Sequence, residues 1–369
     1  MTSKFIPVYE PWVAKNQKKY ILDCVNTNML TFRGKYVTLF EEGISKYLGA
    51  KHFISTFNGS VSLNLMLYCL GIKPGDEIIT SSLTYAATIS QINLLGAVAV
   101  LVDSTENLQM NIKQVEKNIT PKTKAVLVPE LYSDANSMKE YSNLLSLCNK
   151  NNTYLLEDSA EAFACQITKG KYMGTLGKAA SFSFFSNKVI TTSEGGGVLT
   201  NDSDLAERMN LFKNQSHIGG FIHNGPGNNF RMTNIQAAIG LAQLEDIDII
   251  LEKKKNIAKY YRKNLCSNIK SIIPSVYSSS EWMPVFEFKS NRMTYVKFNS
   301  DCKDFGVDTR PVFTPIHLME NFNCRSKSKL NICEYAYKNK FNLPSYPSLT
   351  SKQLEYIVSC INKIMNRAI

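Results

Sequence analysis

Along the first 245 residues, short apolar runs alternate with segments whose apolar positions recur every three or four residues. HFIST (52–56) is a brief run, and NGSVSLNLMLYCLGI after it has helical spacing that closes at Gly71. GDEIITSS predicts a strand, and TYAATISQINLLGA a helix ending near Gly96. VAVLVD (98–103) and TYLLED (153–158) are apolar strands that close on a carboxylate, with KAVLVPEL (124–131) and the helical MKEYSNLLSLCNKNN between them. ASFSFFS and GGGVLTND predict two strands separated by a polar turn. Such alternation predicts an α/β domain built on a mostly parallel, buried sheet. In sheets of this kind ligands bind outside the carboxyl ends of the strands, so the chemistry is sought there.

Beyond that point the texture changes. LEDIDIILEKKKNIAKYYRKNL predicts a helix with a solvated, mixed-charge face that carries Lys253, Lys254 and Lys255. SVYSSSEWMPVFEFKS and TYVKFNSDCKDFGVDTRPVF suggest a smaller α+β unit that ends in the helix SKQLEYIVSCINKIMNR. The expected division is a large domain over 1–250 and a small C-terminal domain over 251–369.

Composition narrows the classes. The 369 residues are 44% hydrophobic, a globular balance. No apolar run approaches the ~20 residues needed to cross a bilayer, and MTSKFIPVYEPW lacks the apolar stretch of a signal peptide. The nine cysteines form no CxxC pair and the four histidines no cluster. That predicts reduced thiols, no metal site and a cytoplasmic protein. The 42 Lys+Arg against 31 Asp+Glu leave a formal charge of +11, which suits an anionic small substrate or a nucleic acid. No basic stripe with interleaved aromatics is visible, so nucleic acid is not expected.

Four places could carry chemistry. Asn58-Gly59-Ser60 lies where a strand passes into a helix, a place that suits a helix cap or a phosphate. Asp158 ends an apolar strand, where a carboxylate either caps a helix or pairs with a buried cation. Ser183 is a hydroxyl alternating with bulky residues. Lys188 stands in a turn of small residues, and a desolvated lysine becomes a nucleophilic amine able to form a Schiff base. Phosphate cup, strand-end carboxylate, strand serine and lysine, in that order, are the parts needed to hold pyridoxal 5'-phosphate.

The string EDSAEAFACQITKGKYMGTLGKAASFSFFSNKVITTSEGGGVLTND resembles the signature region of the DegT/DnrJ/EryC1/StrS sugar aminotransferases, and the likeness runs from IPVYEP to NLPSYPSL. SFFSNKVITTSEGG, FRMTNIQAAIGLAQLE and TRPVFTPIH resemble most the branch that aminates C4 of GDP-linked 4-keto-6-deoxymannose to make perosamine. The resemblance implies the aspartate-aminotransferase fold (fold type I) and a homodimer with shared active sites. Its implied substrates are a nucleotide-linked 4-keto-6-deoxy sugar and L-glutamate, the latter leaving as 2-oxoglutarate. Lys188 would bind the cofactor aldehyde and shuttle protons, Asp158 would face the pyridinium nitrogen, and Glu161 the 3-hydroxyl. Tyr85 would stack on the ring, and Gly59, Ser60 and Ser183 would hold the phosphate. Asn229 would reach the neighbouring subunit's cofactor phosphate, while Arg310 and His317 fall in the segment associated with the sugar nucleotide. Where relatives read HLYG, this chain has Glu130-Leu131-Tyr132-Ser133, and Ser216 replaces a glycine, departures expected to bear on specificity. Two other outcomes known in the family, a sugar 3-aminotransferase and a 3-dehydratase, remain alternatives, as does a non-catalytic regulator. Lys188 speaks against the dehydratase branch, which carries histidine there.

Overall fold

A computed structural model describes residues 5–290 and 292–367. The alternating pattern becomes β1 (His52–Thr56), β2 (Glu77–Ser81), β3 (Val98–Val102) and β4 (Thr123–Pro129), each followed by a helix. Next come β5 (Tyr154–Asp158), a small hairpin of β6 (Gln166–Thr168) and β7 (Lys171–Tyr172), then β8 (Ala179–Ser183) and β9 (Gly196–Thr200). A second hairpin, β10 (His217–Gly219) and β11 (Ile222–His223), precedes the helix Asn234–Glu245. The later strands are β12 (Ile269–Ile272), β13 (Val285–Phe288), β14 (Arg310–Pro311), β15 (Cys324–Arg325) and β16 (Lys340–Asn342).

The main sheet has eight strands in the order β1-β9-β8-β5-β4-β2-β3-β15. Only β9 runs against the rest. Its central strands are buried on both faces; all five residues of β2 are, as continuous apolar runs require. This is the expected α/β fold. A four-stranded antiparallel sheet, β12-β13-β16-β14, carries a separate core around Phe286, Phe298, Phe341 and Tyr346. The helix Ser351–Arg367 packs there through Leu354, Ile357, Ile361 and Ile364, spaced at three and four residues. Two segments cross between the sheets. β15 pairs in parallel with β3, and Ile6 bridges to Val307.

The expected solvated lysine face is corrected at Lys254. The segment breaks at Asp246, and the second helix, Ile247–Asn264, buries Ile250, Lys254, Ile257, Ala258 and Tyr261. Lys254 lies four residues from Ile250 and from Ala258, so helical geometry turns it inward while Lys253 and Lys255 stay exposed. Its Nζ donates to the Ser345 carbonyl at 2.7 Å, and burial lowers its pKa to about 7. All nine cysteines are free thiols. Among the described residues no His, Cys, Asp or Glu group is arranged to hold a metal, and no helix is long and apolar enough to cross a membrane.

Candidate active site

β1, β2, β4, β5 and β8 all run in one direction, so their carboxyl ends share an edge of the sheet. The loops that follow them wall a cavity of about 400 Å³. Asn58, Gly59 and Ser60 come from the β1 end, Thr84 and Tyr85 from β2, and Leu131 and Tyr132 from β4. Asp158 and Glu161 follow β5, and Ser183, Asn187 and Lys188 follow β8. Trp282, Met283, Arg310, Phe313 and Asn342 close it from the C-terminal half.

At one end of the cavity, Asn58 caps the helix Gly59–Cys69 by accepting from the Val61 N–H at 2.9 Å. The first turn of a helix presents N–H groups without intrahelical partners, a natural cup for an anion. Glycine is required at position 59 by close approach: an ideal Cβ there would lie 2.7 Å from the Ser183 Cβ. Both readings of this turn, cap and cup, are therefore compatible in one structure. Gly59→Ala should force β8 away from the helix and weaken inorganic phosphate protection of the cofactor-free protein against thermal unfolding. An unchanged phosphate dependence of the melting temperature would contradict the cup.

Asp158 ends β5 and starts no helix. Its Oδ2 accepts from the Thr88 hydroxyl at 2.8 Å and its Oδ1 from the Ser181 hydroxyl at 3.2 Å. Burial raises its pKa, while Thr88 and then Lys188 oppose the rise. A buried carboxylate with hydroxyl donors and no bonded cation is fitted to receive one. Thr88→Val keeps the shape and removes one donor, so cofactor affinity should fall about tenfold, the worth of one charge-assisted hydrogen bond. Equilibrium titration of the cofactor-free protein measures it.

Lys188 is shielded from solvent. Its Nζ lies 3.6 Å from Glu161 Oε1 and 4.3 Å from the centroid of the Trp282 ring. Burial lowers the lysine pKa against the pull of Glu161 and Asp158. Burial raises Glu161 to about 7, opposed by Lys188 and by the Tyr132 N–H that donates to its Oε2 at 3.0 Å. Burial thus moves the two pKa values toward each other. For Glu161 the folded pKa is raised, so its stabilisation is full below the ordinary value of 4.5 and is lost as pH rises through about 7. For Lys188 it is lowered, so its stabilisation is full above 10.5 and is lost as pH falls through its lower folded pKa. Cofactor-free protein should lose stability on going from pH 4.5 to about 7 and regain it at higher pH. In Glu161→Gln the first limb should flatten, as thermal melts across pH would read out.

The structure gathers Gly59, Ser60, Tyr85, Asp158, Glu161, Ser183, Lys188 and Arg310 around one cavity. It places two other expected residues elsewhere. His317 is off the cavity wall; its Nδ1 shares a 2.7 Å hydrogen bond with Ser82 Oγ and its Nε2 lies 3.5 Å from Glu334 Oε1. Asn229 is also outside it, bridged to Asn214 beside the second hairpin. Glu130 leaves the cavity altogether and points to the opposite face of the sheet, bonded to Tyr141 and Ser159. Ser133 and Ser216 take φ of 61° and 52°, the left-handed region that favours glycine. Ser133 offsets that conformation by donating to the Glu161 carbonyl at 3.1 Å and accepting from the Trp282 N–H at 2.8 Å.

Trp282 on the cavity wall, and Ser181 and Thr88 behind Asp158, were not singled out from the sequence. Ser181 was legible, since it shares a face of β8 with Ser183 two residues on and pairs directly with Asp158. Thr88 sits one helical turn beyond Tyr85, a weaker signal. Trp282 carried none. It arrives from another part of the chain, and its indole donates to the Asn187 carbonyl. With Tyr132 and Phe313 it forms an aromatic stack, centroids 6.0 and 5.5 Å from Tyr132. The Tyr132 hydroxyl in turn accepts from the Phe313 N–H at 3.0 Å.

A buried amine, a buried carboxylate lacking a cation, a phosphate-sized cup and an unpartnered Asn187 Oδ1 fit pyridoxal 5'-phosphate. The model for the DegT/DnrJ/EryC1/StrS aminotransferase family matches residues 11–362. The chain is 38% identical over 363 residues to the GDP-perosamine synthase of Escherichia coli O157:H7, covering 98% of each protein. It is 35% identical to that of Vibrio cholerae, over 98% of this chain and 99% of the relative. Among solved structures it is similar to Helicobacter pylori PseC, an aminotransferase involved in the biosynthesis of pseudoaminic acid. The TM-score there is 0.91 at 27% identity, over 99% of this chain and 100% of that one. With its geometry and its likeness agreeing from end to end, the chain belongs to the DegT/DnrJ/EryC1/StrS aminotransferase family and is a pyridoxal-phosphate-dependent enzyme.

Proposed function

We propose that this enzyme transfers the amino group of L-glutamate to C4 of a GDP-linked 4-keto-6-deoxyhexose, giving the 4-amino sugar. The observation that carries the reading is Lys188, a buried amine against Glu161 and Trp282, in a chain alike over its whole length to GDP-perosamine synthases. Pyridoxal phosphate, when bound, supplies an aldehyde that takes an amino group and a ring that accepts electron density. Gly59, Ser60 and Ser183 would hold its phosphate, Asp158 would keep its ring nitrogen protonated, and Tyr85 would pack on the ring. Lys188 Nζ would serve as the nucleophile and proton carrier, with Glu161 Oε1 3.6 Å away, within ion-pair range. The stack of Tyr132, Trp282 and Phe313 excludes water, and Arg310 at the wall suits an anionic diphosphate. Turnover of a panel of GDP-, UDP- and dTDP-linked 4-keto-6-deoxy sugars, read as 2-oxoglutarate formed, tests the reading. GDP-sugar amination is expected; exclusive use of a UDP- or dTDP-sugar would overturn the nucleotide.

The working unit in this proposal is a cytoplasmic homodimer with shared sites, and the division into 1–250 and 251–369 is retained as its domain plan. Support for the dimer comes from the second hairpin, where Phe221 is 94% exposed and Ile218 and Ile222 are exposed beside it. Asn229, next to that hairpin, lies outside its own cavity and is free to serve a neighbour's. Phe221→Asp should shift the sedimentation equilibrium toward monomer. Mixing Lys188→Ala with Asn229→Ala protein should restore part of the activity, since each hybrid then holds one intact site.

A further inference from the structure

Glu130 stands at the end of β4, fully buried, with its carboxyl on the face of the sheet away from the cavity. Its Oε1 accepts from the Tyr141 hydroxyl at 2.8 Å and its Oε2 from the Ser159 hydroxyl at 2.6 Å. The register pairs Val128 with Glu157 and Pro129 with Asp158. Strand alternation therefore puts Glu130, Glu157 and Ser159 on one face and Asp158 on the other. Glu157 is as fully buried as Glu130, and after burial itself its proximity is what raises the Glu130 pKa most.

The two carboxyls have different surroundings. Glu157 accepts three backbone N–H groups, from Gly174 at 2.8 Å, Leu176 at 2.8 Å and Gly177 at 2.6 Å. Fixed amide dipoles of this kind favour the charged form. Glu130 meets only hydroxyls, which rotate to serve either form. Two carboxyls buried on one face of a sheet with no paired cation cannot both ionise without a large cost. The titratable groups facing Glu130 are Glu157 on β5, Tyr141 on the helix Met138–Lys150, and Cys165 in the loop after β5. Among the described residues no Lys or Arg forms an ion pair with either glutamate.

We propose that Glu130, buried beside Glu157 and met only by hydroxyl donors, keeps its proton at neutral pH, and that Glu130 is a positioning residue for the cofactor site. Its bonds to Ser159 and Tyr141 tie together the ends of β4 and β5, from which Tyr132, Asp158 and Glu161 reach the cavity. Burial first, and then the neighbouring Glu157, holds the Glu130 pKa well above the ordinary carboxylate range. Its stabilisation is therefore full below the ordinary glutamate pKa and is lost as pH rises through the raised one. The inference does not depend on which sugar is aminated.

The test uses the holoenzyme. Its infrared spectrum at neutral pH should contain the carbonyl band of a protonated carboxylic acid that Glu130→Gln removes. Glutamine is isosteric with the acid, so Glu130→Gln should keep wild-type cofactor affinity and lose the fall in melting temperature with rising pH. Glu130→Ala, which deletes the tie, should bind cofactor about tenfold more weakly, the worth of one or two hydrogen bonds. Glu157→Gln should be the damaging member of the pair, because its amide NH2 would face amide donors. The proposal fails if the difference spectrum between wild type and Glu130→Gln shows a carboxylate in place of an acid. It fails equally if Glu130→Gln loses as much cofactor affinity as Glu130→Ala, or if Glu157→Gln is the better tolerated.

Discussion

Lys188→Ala should lower turnover by about 10⁴-fold or more, because in the proposed reaction one nitrogen serves as nucleophile and as proton carrier. The protein should remain folded. The substitution removes an amine that burial already disfavours in its charged form, and Glu161 can take up a proton once its partner is gone, since its own pKa stands at about 7. The purified variant should bind cofactor reversibly and lose the yellow absorption that glutamate bleaches in the wild type. Lys188→Arg separates charge from nucleophilicity. It restores a cation beside Glu161 but offers no free amine, so it should stay as inactive as alanine. Wild-type turnover in either variant would sink the assignment of this lysine.

The second large effect is expected at Asp158. Asp158→Asn retains a side chain that Thr88 and Ser181 can bond, yet it removes the negative charge that, in the proposed reaction, would hold the ring nitrogen protonated. Loss of a preorganised electrostatic contact at the reacting group amounts to about 10²–10³-fold in kcat. The loss should appear in kcat with little change in the KM for the sugar nucleotide, as Asp158 lies at the end of β5 and Arg310 enters the cavity from the opposite half of the chain. A KM effect of equal size, with kcat preserved, would show that Asp158 contributes only to binding. Stability should change little, since the substitution also relieves a buried carboxyl whose pKa burial has raised.

Much of this was legible in the sequence because the main sheet is built from local signals. HFIST, VAVLVD and TYLLED became β1, β3 and β5 with ends within a residue or so, as each is a self-contained apolar run closed by a polar residue. The residues that touch the cofactor site from those strand ends were legible for the same reason. What could not be read depends on contacts between distant segments. Lys254 looked solvated because it sits between two exposed lysines; only the packed helix reveals that its stripe is the one facing inward. Trp282 gave no signal because its role comes from meeting Asn187 and Tyr132, which lie far from it along the chain. Glu130 was noticed as an exchange for histidine and was expected to bear on specificity, but the direction of its side chain depends on strand alternation and on the glycine loop that wraps Glu157.

The two-residue strand β15 has an engineering consequence. Cys324 and Arg325 form the outer edge of the large sheet, pinned by the Arg325–Glu77 ion pair and by the Ser326 hydroxyl on the Leu101 carbonyl. A chimaera that joins the first 250 residues to the remainder of a relative would therefore import a foreign edge strand along with the new sugar-facing wall. Its seam should be placed so that residues 324–326 travel with β3, or the exchange will open a row of unpaired backbone groups to intermolecular strand pairing.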